Sequence, residues 1–112
     1  KIIFQLTTSD TLAHKALMKQ LANITKVKPD SKIEVVCHGP GLEILQKSKS
    51  VVIPKITEFN SKGINFYACE FSMTERKVSK NEITEDAKYV SAGIIYIVTK
   101  QQEGWSYIKS GF

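Results

Sequence analysis

Cys69 is the residue of this chain whose type and position best support covalent chemistry. It follows residues 64–68, an apolar segment that predicts a buried strand, and it precedes residues 71–77, which predict a helical turn. The carboxyl end of an α/β strand is where such folds place ligands, and a nearby helix N-terminus favours the reactive thiolate. Cys69 is therefore a candidate nucleophile or sulfur carrier. Because free cysteine is among the residue types most often buried, a purely structural thiol is the alternative.

Cys37 ends the second predicted strand, and His38 opens the turn His-Gly-Pro-Gly that follows at residues 38–41. A neighbouring imidazole activates a thiol, so His38 is a candidate base or hydrogen-bond partner for Cys69. The alternative is that His38 only satisfies backbone groups of the turn. If the second and third strands are neighbours, Cys37 could approach Cys69 and act as a resolving thiol, although burial within the strand is the simpler expectation.

The predicted order of the elements would bring these residues together. Alternating strands and helices indicate a three-layer α/β/α domain with a mainly parallel sheet, and the carboxyl ends of parallel strands lie at one edge. That edge collects residues from four strands, namely Thr7, Thr8, Ser9, Cys37, His38, Cys69, Ser91 and Gly93. The residues expected to line a pocket around the Cys69 thiol are His38, Gly39, Thr8 and Ser91.

Hydrophobic periodicity and turn residues place the elements in a single domain over residues 1–112. Strands are predicted at residues 1–6, 32–37, 64–68, 89–90 and 105–108. Helices are predicted at residues 11–27, from 42 into the polar stretch 47–50, at 55–62, near 81 and at 93–103. The last segment also suits a strand, but its length and the Gly104 that ends it favour a helix capped by Ser91. His14 is expected on the side of the first helix, solvated or half-buried.

The net charge of +5 raises the question of nucleic-acid binding. The lysines, however, are scattered among acidic residues, and Arg76 is the only arginine. Surfaces that bind nucleic acid usually concentrate arginine and aromatic side chains on one face. We therefore interpret the charge as a solvated surface and do not expect a nucleic-acid partner.

Composition argues against several other classes of protein. No apolar run approaches the ~20 residues needed to cross a bilayer, so no membrane span is expected. Two cysteines do not make a disulfide scaffold, and no His/Cys spacing matches a structural zinc site. The chain begins at Lys1 without an initiator methionine, which predicts that a preceding segment was removed. The expected location is cytoplasmic, or exported if that segment was a leader.

Three stretches of the chain carry a family resemblance. They are Cys-His-Gly-Pro-Gly at residues 37–41, Gly-Ile-Asn-Phe-Tyr-Ala-Cys at 63–69 with Met73, and Tyr-Val-Ser-Ala-Gly at 89–93 leading to 101–108. Together they resemble the DsrE/DsrF-like family of small sulfur-relay proteins, more its stand-alone branch than the subunits of the dissimilatory sulfur-oxidation complex. The resemblance implies a Rossmann-like three-layer fold with a five-stranded parallel sheet, assembled as homotrimers or hexamers through apolar surfaces.

The resemblance also implies a function. In the sulfur-relay members, the cysteine that matches Cys69 accepts a sulfane sulfur as a persulfide and passes it on. The implied protein is a sulfurtransferase-like carrier whose partners are polysulfide or donor and acceptor proteins, with no cofactor and no metal. The label of enzyme stays open, because a carrier loaded once per cycle is closer to a substrate.

Two alternatives remain open from the sequence. The acidic Glu70 and Glu75 would oppose formation of the Cys69 thiolate, whereas Arg76 and Lys77 would favour it. The chain could also be a non-catalytic binding or assembly module, with a small ligand or anion at the strand ends and structural cysteines.

Overall fold

The computed structural model describes residues 1–111, which form five strands separated by helices. The strands are β1 (Ile2–Leu6), β2 (Ile33–Cys37), β3 (Asn65–Cys69), β4 (Lys88–Val90) and β5 (Ser106–Ser110). The α-helices are α1 (Thr11–Val27), α2 (Ile53–Ser61), α3 (Glu70–Arg76) and α4 (Gly93–Gln102), and two 3-10 helices cover Gly39–Leu45 and Lys80–Glu82. The order of elements expected from the sequence is confirmed, with ends shifted by a few residues.

The strands form one parallel sheet in the order β4-β3-β2-β1-β5. The first three connections each step one strand in the same direction, and the fourth returns across the whole sheet to β5. Because such crossovers are right-handed, the earlier helices cover one face and α4 covers the other. This confirms the predicted three-layer α/β fold with a five-stranded parallel sheet.

The two faces of the sheet carry very different amounts of apolar packing. The face under α1 and α2, here called the α1 face, holds the main core, which includes Phe4, Leu6, Leu17, Leu21, Val35, Cys37, Ile56, Phe59, Phe66, Ala68 and Met73. The opposite face, here called the α4 face, has a small core of Ile3, Val36 and Ile97. Since side chains alternate along a strand, odd and even positions of the same strand serve these two different layers.

Polar groups hold α4 against the sheet near the amino-terminal ends of the strands. The Glu34 carboxylate, 8% exposed, accepts hydrogen bonds from the hydroxyls of Tyr96 at 2.6 Å and Tyr67 at 3.3 Å. The Lys100 ammonium lies 3.8 Å from the same carboxylate and 4.8 Å from the centre of the Trp105 ring. A buried carboxylate is costly unless it is paired in this way, so these contacts fix where α4 docks.

Two local expectations from the sequence are wrong. His14 is 1% exposed rather than solvated, because its Nε2 bonds the Thr8 carbonyl oxygen at 2.7 Å and thereby satisfies a buried ring nitrogen. Ser91 does not cap α4, since the N-cap residue is Ala92 and no side-chain cap bond forms there within the described chain. The Ser91 backbone has another partner, described below.

Gly41 allows the turn after β2 to pack directly on the end of β1. A Cβ at this position would lie 2.1 Å from the Leu6 carbonyl oxygen and 2.7 Å from its carbonyl carbon. His38 also donates its backbone N–H to the Leu6 carbonyl, at 3.1 Å. The segment that carries His38 is therefore set in place by a backbone contact that only glycine permits.

We expect Gly41→Ala to lower the free energy of unfolding by about 3 kcal/mol or more, because the backbone of β1 must move to admit the methyl group. Gly63→Ala is the matched control, since its Cβ would meet nothing within 4 Å and only its φ of +93° is unfavourable. That control should lose about 1–2 kcal/mol. Urea denaturation measures the free energy of unfolding of both variants. Equal losses in the two variants would show that the close contact with Leu6 does not add to the cost of Gly41→Ala.

Candidate functional site

The Cys69 thiol lies where three elements meet. Cys69 is the last residue of β3 and the N-cap residue of α3, and its side chain points to the α4 face. The residue is 5% exposed, and it pairs in register with Val90 at the end of β4. The thiol is thus close to the start of α4 as well as to that of α3.

Hydrogen-bond donors converge on the Cys69 sulfur. The Gly93 backbone N–H, in the first turn of α4, donates to Sγ at 3.3 Å. Burial acts to raise the pKa of the Cys69 thiol, but hydrogen bonds from the Ser72 hydroxyl and from the backbone N–H groups of Ser72 and Gly93 outweigh it, so the pKa is lowered overall. The site therefore favours the thiolate, which is the nucleophilic form of cysteine.

Two of the four charged neighbours that the sequence left in balance have ion-pair partners away from Cys69, whereas Glu75 lines the cavity beside the thiol, described below. Glu70 pairs with Lys80 at 3.5 Å, and Arg76 pairs with Glu43 at 3.4 Å. Hydrogen bonds rather than nearby charges account for the lowered pKa of the Cys69 thiol. The local backbone at the start of α3 and α4 therefore decides the question that the sequence left open.

Gly93 makes this geometry possible because it has no side chain. A Cβ at Gly93 would lie 3.0 Å from Val36 Cγ1, 3.4 Å from Cys69 Cβ and 3.5 Å from His38 Cβ. The backbone of α4 thus approaches β2 and β3 closely enough for its N–H to reach the sulfur. The same contacts show that His38 and Cys69 flank a single point at the start of α4.

An open cavity of about 340 Å³ adjoins the thiol. Its lining residues are His38, Cys69, Phe71, Ser72, Glu75, Ala92, Gly93, Ile94 and Ile95. Phe71 and Ile95 are 62% and 63% exposed, so the mouth of the cavity is apolar while its floor is polar. Cys69 itself is 5% exposed and lies at the floor of this opening.

Ser72 is the functional residue that sequence reasoning missed. It is buried in α3, and its hydroxyl oxygen accepts the Gly39 backbone N–H at 2.8 Å. With its oxygen held by Gly39, the hydroxyl can turn its own proton towards Cys69. A serine three residues after a strand-ending cysteine, at the spacing typical of helix capping, was the available signal.

Gly39 and Ser91 act through backbone groups rather than at the pocket surface. Gly39 uses its N–H to orient Ser72, as described above. The Ser91 carbonyl oxygen accepts the Phe71 N–H at 3.1 Å and also lies 4.0 Å from the Cys69 sulfur. Both residues therefore adjoin the site, and both hold its framework.

Thr8 does not line the cavity. Its hydroxyl accepts the Asp10 N–H at 3.1 Å, and its carbonyl oxygen contacts His14. The reason is topological, because β1 is separated from β3 by β2 in the sheet. Thr8 therefore lies at the edge of the sheet predicted from the sequence, but the prediction that Thr8 lines the pocket around the thiol does not match the lining of this cavity.

The structure does not bring Cys37 to Cys69. Cys37 pairs in register with Ala68, so it points to the α1 face, whereas Cys69 points to the α4 face. Cys37 is 0% exposed, and burial raises the pKa of its thiol. A resolving role therefore has no geometric support, and the buried alternative describes Cys37 correctly.

Within residues 1–111, no group of His, Cys, Asp and Glu side chains is arranged to hold a metal ion. No helix of that part of the chain is long and apolar enough to span a membrane. A larger cavity, of about 530 Å³, lies between α1 and α2. It is lined by five lysines and by apolar side chains but by no thiol or imidazole, so it offers no sulfur chemistry.

Comparison with known proteins identifies the family. The model of the DsrE/DsrF-like family matches residues 1–110. This chain belongs to that family. The match confirms the resemblance seen in the sequence. Membership in the DsrE/DsrF-like family agrees with a sulfur-relay-related role.

Solved structures agree with this DsrE/DsrF-like fold. A protein of unknown function from Methanobacterium thermoautotrophicum is similar, with a TM-score of 0.91, 26% identity and 96% of each chain covered. A conserved protein of unknown function from Bacteroides thetaiotaomicron has a TM-score of 0.73 and 17% identity over 96% of this chain and 92% of its own. The second likeness shows the fold alone, and no curated protein matches the chain.

We expect the alkylation rate of Cys69 in this DsrE/DsrF-like protein to rise with pH around a midpoint below the 9.0 of an ordinary thiol. Ser72→Ala should move the midpoint upwards, because it removes a donor that favours the thiolate, and should slow alkylation at neutral pH. Peptide-resolved mass spectrometry after iodoacetamide treatment separates Cys69 from Cys37, which should stay unmodified while the protein is folded.

Ser61→Ala is the control for this experiment. Ser61 is exposed on α2, where its hydroxyl donates to the Glu58 carbonyl oxygen at 2.6 Å, far from the thiol in the fold. This variant should retain the wild-type midpoint. An unchanged midpoint in Ser72→Ala would show that the Ser72 hydroxyl does not act on Cys69.

Proposed function

We propose that this protein carries sulfur as a persulfide on Cys69. The observation that carries the proposal is the Gly93 N–H bond to a thiol of lowered pKa at the floor of an open cavity. A carrier needs a thiolate and a group that holds the bound sulfur, and it needs little else. Membership in the DsrE/DsrF-like family supports the same role.

The transfer requires no oxidant. The Cys69 thiolate attacks the terminal sulfur of a polysulfide or of a donor protein's persulfide, forming a new S–S bond. The donor's S–S bond breaks, and the donor leaves as a thiolate or shortened polysulfide. An acceptor thiolate then attacks the outer sulfur on Cys69, and the Cys69 thiolate is released. Each step exchanges one S–S bond for another, so electrons balance.

The site offers a distinct role to each nearby group in this exchange. Gly93 and Ser72 donate hydrogen bonds that stabilise the Cys69 thiolate both as nucleophile and as leaving group. The apolar mouth formed by Phe71 and Ile95 limits water near the outer sulfur. The proposed donors and acceptors are polysulfide or partner proteins that present a thiol small enough to enter.

Sulfur loading provides the direct test. After exposure to polysulfide, the intact mass of the wild type should increase by one or more sulfur atoms, and dithiothreitol should reverse the increase. Cys69→Ser should not load, because it lacks the accepting thiolate. Cys37→Ala is the matched control and should load as the wild type does, since Cys37 lies on the α1 face.

The competing function is a binding module in which the same N–H groups hold a small anion. Adducts that persist in Cys69→Ser, or a folded wild type that never loads, would exclude the carrier role. The second result would favour the binding module, because the Gly93 N–H at the start of α4 can also serve an anion.

We also propose that the protein assembles as a homotrimer or hexamer through the exposed apolar residues of α4. Ile94, Ile95 and Val98 are 53%, 63% and 42% exposed. Ile95→Lys should reduce the assembled fraction in sedimentation velocity, because it would bury a charge. Leu12→Lys is the control, since Leu12 is 70% exposed on α1. A monomeric wild type, or equal effects of both variants, would contradict the proposal.

A further inference from the structure

Besides the hydrogen bonds around Glu34, the α4 face carries a row of three hydrogen-bonded side chains, Tyr107, Gln5 and His38, which ends at the cavity beside Cys69. The Tyr107 hydroxyl on β5 bonds the Gln5 side-chain oxygen on β1. The Gln5 side-chain nitrogen in turn lies 2.8 Å from His38 Nε2. The row crosses three adjacent strands, β5, β1 and β2, and its last member lines the cavity.

The chemistry of the amide determines where the His38 proton lies. An amide nitrogen only donates, so His38 Nε2 must accept and therefore carries no proton. The Tyr107 hydroxyl bonds the Gln5 oxygen, which leaves the amide nitrogen facing His38. The neutral ring must then carry its proton on Nδ1.

His38 lines the cavity, and Nδ1 is the ring nitrogen that is not bound to Gln5. Within residues 1–111, only Nε2 of this ring has a hydrogen-bond partner. His38 and Cys69 line the same cavity, and their Cβ atoms flank Gly93. Burial lowers the pKa of His38, which favours the uncharged ring.

We propose that Tyr107 and Gln5 are positioning residues that hold His38 as the neutral Nδ1–H tautomer, so that His38 presents an N–H donor to the outer sulfur carried on Cys69. The assignment of that sulfur rests on the proposed function, whereas the tautomer does not. From the sequence, His38 is a candidate base or hydrogen-bond partner for Cys69. The Nδ1–H tautomer favours the role of hydrogen-bond donor, because the unprotonated nitrogen that a base would use, Nε2, accepts a hydrogen bond from Gln5. An N–H donor stabilises the anionic outer sulfur until an acceptor attacks it.

Nitrogen-15 NMR of the imidazole rings tests the tautomer directly. The chain has two histidines, and His14 provides an internal reference of opposite type, since its Nε2 faces the Thr8 carbonyl oxygen and must carry the proton. At neutral pH we expect the Nδ1–H pattern for His38 and the Nε2–H pattern for His14. A His38 ring with its proton on Nε2 would overturn the proposal.

Gln5→Glu reverses the polarity of the row with little change in shape. A carboxylate only accepts, so His38 should acquire a proton on Nε2, while the His14 resonances stay unchanged. Tyr107→Phe removes the hydroxyl that orients Gln5 and should give a mixture of His38 tautomers. Tyr67→Phe is the matched control, because it deletes a hydroxyl from the same face but outside this row. A wild-type His38 pattern in Gln5→Glu would also overturn the proposal.

The rate of sulfur transfer from Cys69 tests whether the His38 tautomer affects sulfur carrying. In Tyr107→Phe, transfer of the outer sulfur from the Cys69 persulfide to glutathione should be about tenfold slower than in the wild type, the size expected when a hydrogen bond to a charged group is weakened. If the wild type does not load sulfur but shows the expected tautomers, the carrier role fails and the positioning assignment stands. If both Tyr107→Phe and the wild type load sulfur and pass it to glutathione at equal rates while their His38 tautomers differ, the row does not act on the sulfur and the proposal fails.

Discussion

The close approach of Gly93 to the edge of the sheet is the constraint on which the site depends. It places the first turn of α4 against Val36, Cys69 and His38, all within 3.5 Å of where a Cβ would be. Because the backbone itself makes the contact, its N–H can donate to the Cys69 sulfur at 3.3 Å. One missing side chain thus joins β2, β3 and α4, and the Gly93 N–H acts with the Ser72 hydrogen bonds to lower the pKa of a thiol that burial alone would raise.

The asymmetry of the sheet explains why the site lies on the α4 face. Three helical connections cover the α1 face and leave no room for polar chemistry there, as the buried Cys37 shows. A single helix of ten residues covers the other face, so polar side chains remain along it. At the amino-terminal ends of the strands, polar side chains anchor α4 through Glu34. At the carboxyl-terminal ends of the strands, the backbone of α4 reaches the thiol through the Gly93 N–H. Anchoring and chemistry are therefore properties of the same helix at its two ends.

The two cysteines show how strand alternation separates chemistry from packing. Cys37 and Cys69 both end a strand, and their strands are neighbours, yet their side chains project to opposite layers. One thiol lies in the main core, where burial raises its pKa, and the other meets two helix starts, where hydrogen bonds lower it. The difference arises from register and not from residue type.

The amino-acid sequence by itself determined the class of fold and the order of elements, and it singled out Cys69 as the candidate reactive residue. These follow from local patterns, since hydrophobic period, glycine and proline positions and a strand-ending thiol are all visible within short segments. For the same reason, the predicted bounds of β3 and α4 were close to those observed.

Only the tertiary structure decided which residues of the carboxyl edge meet. Ser72 joined the thiol, Thr8 did not, and Gln5 and Tyr107 reached His38 from strands distant in sequence. Strand order and register are set by packing over the whole domain, so no local segment encodes them. The face of the sheet to which Cys37 points depended on the same long-range contacts, because one residue of offset in register moves a side chain to the opposite face of a sheet.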